Sequence, residues 1–319
     1  MSASSDTTAR KIAATRVAPG VPAPILFGDV ELTRLVESEF PILDVFEIYP
    51  DATPALLGQD LPWLAPRFFD SASQRLILAF QGFLLRSNGR IILVDTCVGD
   101  CKHRVRADFD NQRWGWSARL AAAGVSPEEV DIVVCSHMHV DHVGWNTRLE
   151  NGRWVPMFPN ARYLFARAEW EYWTGSGIAT LARTGDYMQD SVIPVMEAGL
   201  VDLVGTDHVI DANLRLQPAP GHTPGLVTVA IDSRNARAVL ASDVLHTPLQ
   251  CRHPHWSTRF CADAAGSRAT RIAFLERYAD TDVVVFPAHF PSPTGGMITR
   301  QGDGFGFQFL GEATPIYAL

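Results

Sequence analysis

The sequence is poor in cysteine, with five in 319 residues: Cys97, Cys101, Cys135, Cys251 and Cys261. An odd number in a long chain without a leader points to reduced thiols, not to a disulfide framework. Cys97 and Cys101 have the look of half a zinc site, but no second pair accompanies them, and no structural zinc is expected there. Long apolar runs are also missing. Nothing approaches the roughly 20 residues of a membrane helix, so no membrane partner is expected. Residues 1–10 are polar and lack the apolar centre of a signal peptide, which makes a cytoplasmic protein the expectation. Basic clusters are absent: the formal charge is −8, and Lys and Arg are scattered. That removes the electrostatic footprint of a nucleic-acid binder and leaves a small molecule as the expected partner. The Gly-x-Ser-x-Gly elbow of serine hydrolases does not occur either, so the chemistry must come from another nucleophile.

What is present is material for a large core and a dense packet of metal-binding side chains. Hydrophobic residues make up 47% of the chain, enough for one large α/β unit. The stretch Ser136-His-Met-His-Val-Asp-His142 holds three imidazoles and a carboxylate. It follows Ile132-Val-Val-Cys135, an apolar run that reads as a buried strand. Side chains at i and i+2 of an extended segment point to the same side. His137 and His139 can therefore grip one metal together, while Asp141 and His142, as the chain turns, face a second. Further candidates follow in order. His222 stands in the turn Gly221-His-Thr-Pro-Gly225, Asp243 ends the run Ala238-Val-Leu-Ala, and His289 ends the run 282–287. Each lies at or just past the end of a strand-like run, so one sheet edge can gather them.

The His-x-His-x-Asp-His motif, with the later His, Asp and His, resembles the metallo-β-lactamase superfamily over residues 74–310. Ser242-Asp-Val-Leu-His-Thr-Pro-Leu-Gln250 and His289-Phe-Pro-Ser-Pro-Thr-Gly-Gly296 further resemble the branch that holds acyl-homoserine lactonases and methyl parathion hydrolase. The resemblance implies an α/β fold, a four-layer αββα sandwich with the site along one edge. It implies that His137, His139 and His222 hold a first metal, that Asp141, His142 and His289 hold a second, and that Asp243 bridges them. Three positions depart from the common pattern. Ser136 stands where threonine is common, Trp145 follows Gly144 where a second small residue is common, and Cys97 follows Asp95-Thr96 where glycine is common.

Five histidines and two aspartates suit zinc, and also iron, manganese or cobalt. Two divalent ions about 3.5–4 Å apart share a bridging water, and one zinc lowers a bound water's pKa from about 15.7 to about 7. The expected function is a dinuclear metal-dependent hydrolase with two divalent ions, zinc foremost. A metal-bridging hydroxide would cleave an ester, lactone or phosphotriester. Asp243 and Asp141 are the expected catalytic carboxylates. Two alternatives share the fold: hydrolytic dehalogenation of a chlorinated aromatic, such as a chlorinated nitrile, and non-haem iron oxidoreduction. The complete set of seven ligands disfavours the oxidoreductases that hold one iron.

Around the ligands, Asp95 follows the run 91–94, and the resemblance gives it the task of orienting the metal loop. His246, three residues past Asp243, is an outer partner or a pocket residue. Trp145, next to the packet, is expected to wall the pocket, which favours an aromatic or long-chain apolar substrate. In the resembled lactonases a tyrosine assists the carbonyl, and Tyr163, Tyr172 and Tyr187 all stay open for that role.

Two parts are expected along the chain. Residues 1–73 form a polar lead and then a Pro- and aromatic-rich segment, and residues 74–319 form the catalytic unit. Leu61-Pro-Trp-Leu-Ala-Pro-Arg-Phe-Phe69 is too apolar for an ordinary loop. It covers the site, packs on the core, or meets a second subunit, and a homodimer is the expectation. From Arg75 the pattern turns regular. Strands at 76–86 and 90–94 flank Ser87-Asn88-Gly89, a hairpin signal. A helix is expected at 113–124 and a capping box at Ser126-Pro-Glu-Glu129. Strands are expected at 213–219, 226–232, 237–242 and 283–287, and helices at 189–198 and 267–280.

Overall fold

Ile92 and Val94 point one way from their strand and Leu93 points the other, yet all three are buried. The same holds at 132–135 and 285–287, where no polar side chain interrupts the run. Strands covered on both faces need such continuous apolar runs, and this decides the architecture.

The computed structural model describes residues 21–312, apart from the side chains of residues 182 and 183. The polar lead 1–20 lies outside them. The chain opens with β1 (Ile25–Phe27), β2 (Val30–Leu43), α1 (Val45–Ile48), α2 (Pro54–Leu64), β3 (Phe69–Asp70), β4 (Arg75–Ser87) and β5 (Arg90–Val94). Then come α3 (Trp116–Ala122), β6 (Ile132–Cys135), the hairpin β7 (Thr147–Glu150) and β8 (Arg153–Pro156), and β9 (Arg162–Ala166). These are followed by α4 (Arg167–Trp173), α5 (Tyr187–Ser191), α6 (Ile193–Glu197) and β10 (Val201–Val204). The second half holds β11 (Leu214–Pro218), β12 (Val227–Ser233), β13 (Ala236–Ser242), α7 (Leu249–Arg252), α8 (Ala264–Tyr278), β14 (Val284–Pro287), β15 (Gly296–Gln301) and β16 (Gly304–Phe309).

Among the described residues, one sheet runs β1-β2-β4-β5-β6-β9-β10, with β3 also on β4, and a second runs β11 to β16 in sequence order. Ile92, Val94, Ile132 and Val134 of the first sheet pack on Leu216, Val229, Leu240 and Phe286 of the second. Their neighbours Leu93, Val133, Val239 and Val285 point outward and join Trp116 and Leu120 of α3 and Phe274 and Leu275 of α8. The layers are helix, sheet, sheet, helix: a four-layer αββα sandwich. Strands β5, β6, β9 and β10 are parallel, and so are β13 and β14. Parallel neighbours bring their carboxyl ends to the same edge, where α/β sheets place their ligands.

The hairpin between β4 and β5 turns through Asn88 and Gly89, both at positive φ (49° and 74°), as a two-residue turn of this hand requires. The capping box at Ser126 and Glu129 is formed. The region expected as one helix at 189–198 is two short helices, broken at Val192, with Pro194 in the first turn of the second. The hairpins β7–β8 and β15–β16 escaped the reading of the sequence.

The larger difference lies before Arg75. Among the described residues regular structure begins at Ile25, and the first sheet runs across the expected division at residues 73 and 74. The 14-residue β2 pairs along β4 from Glu31 opposite Arg86 to Leu43 opposite Leu76. Its polar residues hid the strand pattern, but Arg34 and Glu37 are buried with partners. Arg34 donates from Nε and Nη2 to Gln81 Oε1 at 2.9 and 2.6 Å. The apolar stretch 61–69 packs on the chain's own core: Leu64, Phe68 and Phe69 are buried, and Phe68 stacks on Phe309 at 5.5 Å. That removes the apolar-segment argument for a homodimer. Among the described residues no helix is long and apolar enough to cross a membrane.

Candidate metal centre

The site grows from strand ends. At the end of β5, Asp95 takes a positive φ of 60° and turns its carboxylate back under the loop after β6. Its Oδ1 accepts the Ser136 N–H at 2.8 Å, and its Oδ2 accepts the Ser136 hydroxyl at 2.8 Å and faces His142 Nδ1 at 2.9 Å. At the end of β13 the register slips between Leu240 and Ser242, and this bulge delivers Asp243. The hydroxyls of Ser136 and Ser242 meet at 2.7 Å and tie the two sheet edges together.

Seven side chains converge there. His139 Nδ1 lies 2.9 Å from His137 Nε2 and 2.8 Å from His222 Nε2. Asp243 Oδ2 lies 3.6 Å from His137 Nε2 and 3.2 Å from His222 Nε2. The other oxygen, Oδ1, lies 3.3 Å from His142 Nε2 and 3.1 Å from His289 Nε2. Asp141 reaches the same two rings at 3.9 and 3.7 Å. Two groups of donors result: His137, His139, His222 and Asp243, and Asp141, His142 and His289, each with its donor atoms within 4.8 Å of one another. Asp243 turns one oxygen to each.

These residues fit divalent cations. His142 Nε2 and Asp243 Oδ1 are buried and have no hydrogen-bond partner. A buried polar atom left unpaired costs about 1–3 kcal/mol, and a cation at that point satisfies both. The charges agree. Burial alone would raise the Asp243 carboxyl, but the surrounding rings of His289, His142, His246 and His137 hold it well below the usual carboxylate range. Burial, together with the neighbouring His142, holds His137 well below the usual imidazole value, which keeps it in the neutral form that ligates. His289 donates its Nδ1–H to Ala79 O at 2.9 Å, which leaves Nε2 for the site.

His246 belongs to neither group. Its Nε2 lies 3.2 Å from Asp243 Oδ2, its ring stacks on His289 at 5.6 Å, and its Nδ1 is buried without a hydrogen-bond partner. Burial pushes it down to about 4, against the pull of Asp243, so the ring is neutral.

Above the donors opens a cavity of about 620 Å³. Its walls come from Ile42, Leu43 and Ile48 before Arg75, from Leu78, Phe80 and Phe109, and from Tyr172, Trp173 and Tyr187. Trp173 stands edge-on to His139 at 5.3 Å. Trp145, expected as the aromatic wall, is not among the lining residues. It is buried in the core, stacks on Trp116 at 5.8 Å and donates its indole N–H to Glu37 Oε1 at 2.8 Å. The short turn Gly144–Asn146 swings its side chain toward β2. Tyr163 lies in the first sheet, where its hydroxyl bonds the backbone of Asn146 and Phe158. The Tyr187 hydroxyl donates to Met138 O at 2.7 Å. His253 pairs with the buried Asp60 at 2.7 Å.

Two carboxylates of the site's frame were missed in the sequence. Glu169 of α4 accepts N–H groups from Met138 at 3.0 Å, Gly225 at 2.8 Å and Trp173 at 2.9 Å, and so clamps the two ligand loops together. Glu37 sits where β2 slips register between Val36 and Ser38, and accepts from Val98 and Gly99 N–H beside the Asp95 loop. Their partners are largely backbone groups, which leave no signal in a sequence.

A family model described as the metallo-beta-lactamase superfamily matches residues 82–289. The chain belongs to this superfamily. An N-acyl homoserine lactonase from Bacillus sp is 25% identical over 121 residues, 38% of this chain and 40% of its own length. The chain therefore spans well under half of that relative. The N-acyl homoserine lactonase AiiB of Agrobacterium fabrum is 24% identical over 296 residues, 83% of this chain and 97% of its own. Among solved structures, AidC, a dizinc quorum-quenching lactonase in complex with a product, has a TM-score of 0.76 at 24% identity. It covers 91% of this chain and 97% of itself. The hydrolase AbOPH has a TM-score of 0.76 at 19% identity, covering 92% and 98%. These two likenesses establish the superfamily fold over nearly the whole chain.

Proposed function

We propose that the protein is a dinuclear metal-dependent hydrolase that cleaves an ester, lactone or phosphotriester carrying an apolar or aromatic group. The observation that carries this reading is Asp243, with one oxygen toward each donor group, at the floor of an apolar-walled cavity. Zinc suits the donor set of five imidazoles and two carboxylates. Two such ions, when bound, polarise a C=O or P=O group and activate water near neutral pH.

The chain's own residues supply the rest. Asp95 and the Ala79 carbonyl fix the rings of His142 and His289 through their Nδ1 atoms. Glu169 holds the loops of His137 and His222 in register. Phe80, Phe109 and Trp173 seat the apolar part of the substrate and keep bulk water off the reacting group. Asp141 and Asp243 are the carboxylates nearest that group, and in this reading the ionised Asp243 takes up the proton that the attacking water gives up and passes it to the leaving oxygen. The curated relatives are lactonases, which favours a lactone within the class.

A panel tests this: a lactone, an aryl ester, a phosphotriester, a β-lactam and a chlorinated aromatic, each followed for product, beside a metal count. Two ions per chain and hydrolysis of the lactone are expected. Chloride release as the sole reaction would move the assignment to dehalogenation, and a single iron per chain would move it to oxidoreduction.

A further inference from the structure

His222 is braced differently from the other ligand histidines. The Nδ1 atoms of His142 and His289 meet oxygens at 2.9 Å, those of Asp95 and Ala79, and His137 Nδ1 faces the Ser136 hydroxyl at 3.2 Å. His222 Nδ1 faces a sulfur, Cys261 Sγ, at 3.6 Å. That sulfur is itself held. Its S–H donates to Ser267 Oγ at 3.3 Å, and Thr258 Oγ1 lies 3.4 Å away. Ser267 Oγ in turn accepts from Arg271 Nη1 at 3.3 Å. Arg271 is buried and anchored on Pro254 O at 2.8 Å and Ser257 Oγ at 3.1 Å.

The backbone repeats the same grip. Ala262 N–H donates to His222 O at 2.8 Å and Asp263 N–H to Gly221 O at 2.9 Å. Gly221 has a φ of 128°, and a Cβ there would lie 2.2 Å from the backbone nitrogen of Ser267. Only glycine lets this turn press against the start of α8. The turn of His222 and the segment from Cys261 to Ser267 are thus one built unit.

We infer that Cys261 is a positioning residue of the metal centre. Its sulfur accepts the Nδ1–H of His222 and holds Nε2 toward His139 and Asp243. The inference rests on the proposed metal reading of the site but on no particular substrate. A ligating imidazole donates its second N–H to an outer partner, and loss of that partner costs about 10–100-fold in metal affinity. A thiol is a weaker acceptor than the oxygens that brace His142 and His289. His222 is therefore the most loosely braced of these rings, and the ion it shares with His137 and His139 is the one that depends on Cys261.

The test is a titration of metal-free protein with zinc in competition with a chromophoric chelator, for wild type, Cys261→Val, Cys261→Ala and Cys261→Ser. Valine fills the space without an acceptor, and serine keeps one. Valine and alanine are expected to weaken one of the two ions about 10–100-fold and leave the other unchanged. Serine is expected to recover most of the loss. Melting of each metal-free variant separates a change in folding from a change in affinity. Ser267→Ala, which frees the thiol to turn, should weaken the same ion to a smaller degree. Wild-type affinity for both ions in Cys261→Val overturns the inference, and so does a serine variant as weak as the valine one. A wild type that binds two ions and hydrolyses nothing in the panel would defeat the hydrolase reading and leave this one standing.

Discussion

Asp95 holds the Nδ1 edge of His142 at 2.9 Å, and the far edge of that ring thereby faces Asp243 Oδ1 at 3.3 Å. The same carboxylate takes both the N–H and the hydroxyl of Ser136, so one side chain sets the ring and the start of its loop. Asp95→Ala should weaken retention of the ion beside His142 by about 10–100-fold. The ion beside His139 should hold nearly as before. A chelator competition that resolves two affinities checks this, and equal loss of both ions would mean that Asp95 supports the whole edge and not one ring.

Metal uptake should strengthen as pH rises. In the metal-free protein the Asp243, Asp95 and Asp141 carboxylates raise His142 well above the usual imidazole value despite burial, and Asp243 raises His289 in the same way. His222 is pushed up to about 9, where burial is outweighed by Asp243 and Cys261. Rings with raised values carry protons near neutrality, and they must lose them to ligate. Binding therefore releases protons, and the apparent affinity falls as pH drops through these values. Each proton released is worth about tenfold in affinity per pH unit, or about 1.4 kcal/mol. Zinc titrations at pH 6, 7 and 8 should show at least that slope. A flat profile would show that the rings are already neutral.

Phe109 and Trp145 should behave oppositely. Phe109 lines the cavity and meets Phe80 edge-on at 5.1 Å. Phe109→Ala removes packing worth roughly 1.5–3 kcal/mol to an apolar substrate. It should lower kcat/KM for aromatic substrates about tenfold to a hundredfold and spare a small lactone. Trp145→Ala opens a hole in the core and should cost about 3–5 kcal/mol of stability without reordering the substrates. Denaturant unfolding and the substrate panel, run on both variants, separate the two roles. A change of substrate preference in Trp145→Ala would return Trp145 to the pocket.

The contrast shows where the sequence was legible. The ligand side chains could be found because each stands at or past the end of a strand-like run, and for all but His222, which follows the antiparallel β11, parallel strands bring such ends to one edge. Trp145 misled because nearness in sequence fixes distance but not direction: one short turn after the metal loop separates it from the cavity. β2 stayed hidden because Arg34, Glu37 and Ser38 break its alternation, and the partners of Arg34 and Glu37, Gln81 among them, lie far along the chain. The cavity wall was hidden with it, since Ile42 and Leu43 arrive on the same strand.

Glu37 gives the last prediction, because its geometry and its burial pull in opposite directions. Its Oε2 accepts from Val98 N–H at 3.0 Å, and its Oε1 accepts from Gly99 N–H at 3.1 Å and Trp145 Nε1 at 2.8 Å. Three donors favour a carboxylate, yet burial outweighs them and raises the group to about 8. An acid raised in the folded state keeps its proton while the unfolded chain loses its own. Folding then takes up a proton between the ordinary value near 4.5 and about 8. The contribution of Glu37 is full below that window and is lost as pH rises through it. Glu37→Gln puts an amide N–H against one of the three donors and should cost about 1–3 kcal/mol at pH 5. Glutamine does not titrate, so the gap to the wild type should shrink by pH 8. Urea unfolding of both metal-free proteins at the two pH values measures it. A gap that stays constant would mean that the three donors keep Glu37 ionised throughout, and that hydrogen bonding and not burial sets the charge beneath the Asp95 loop.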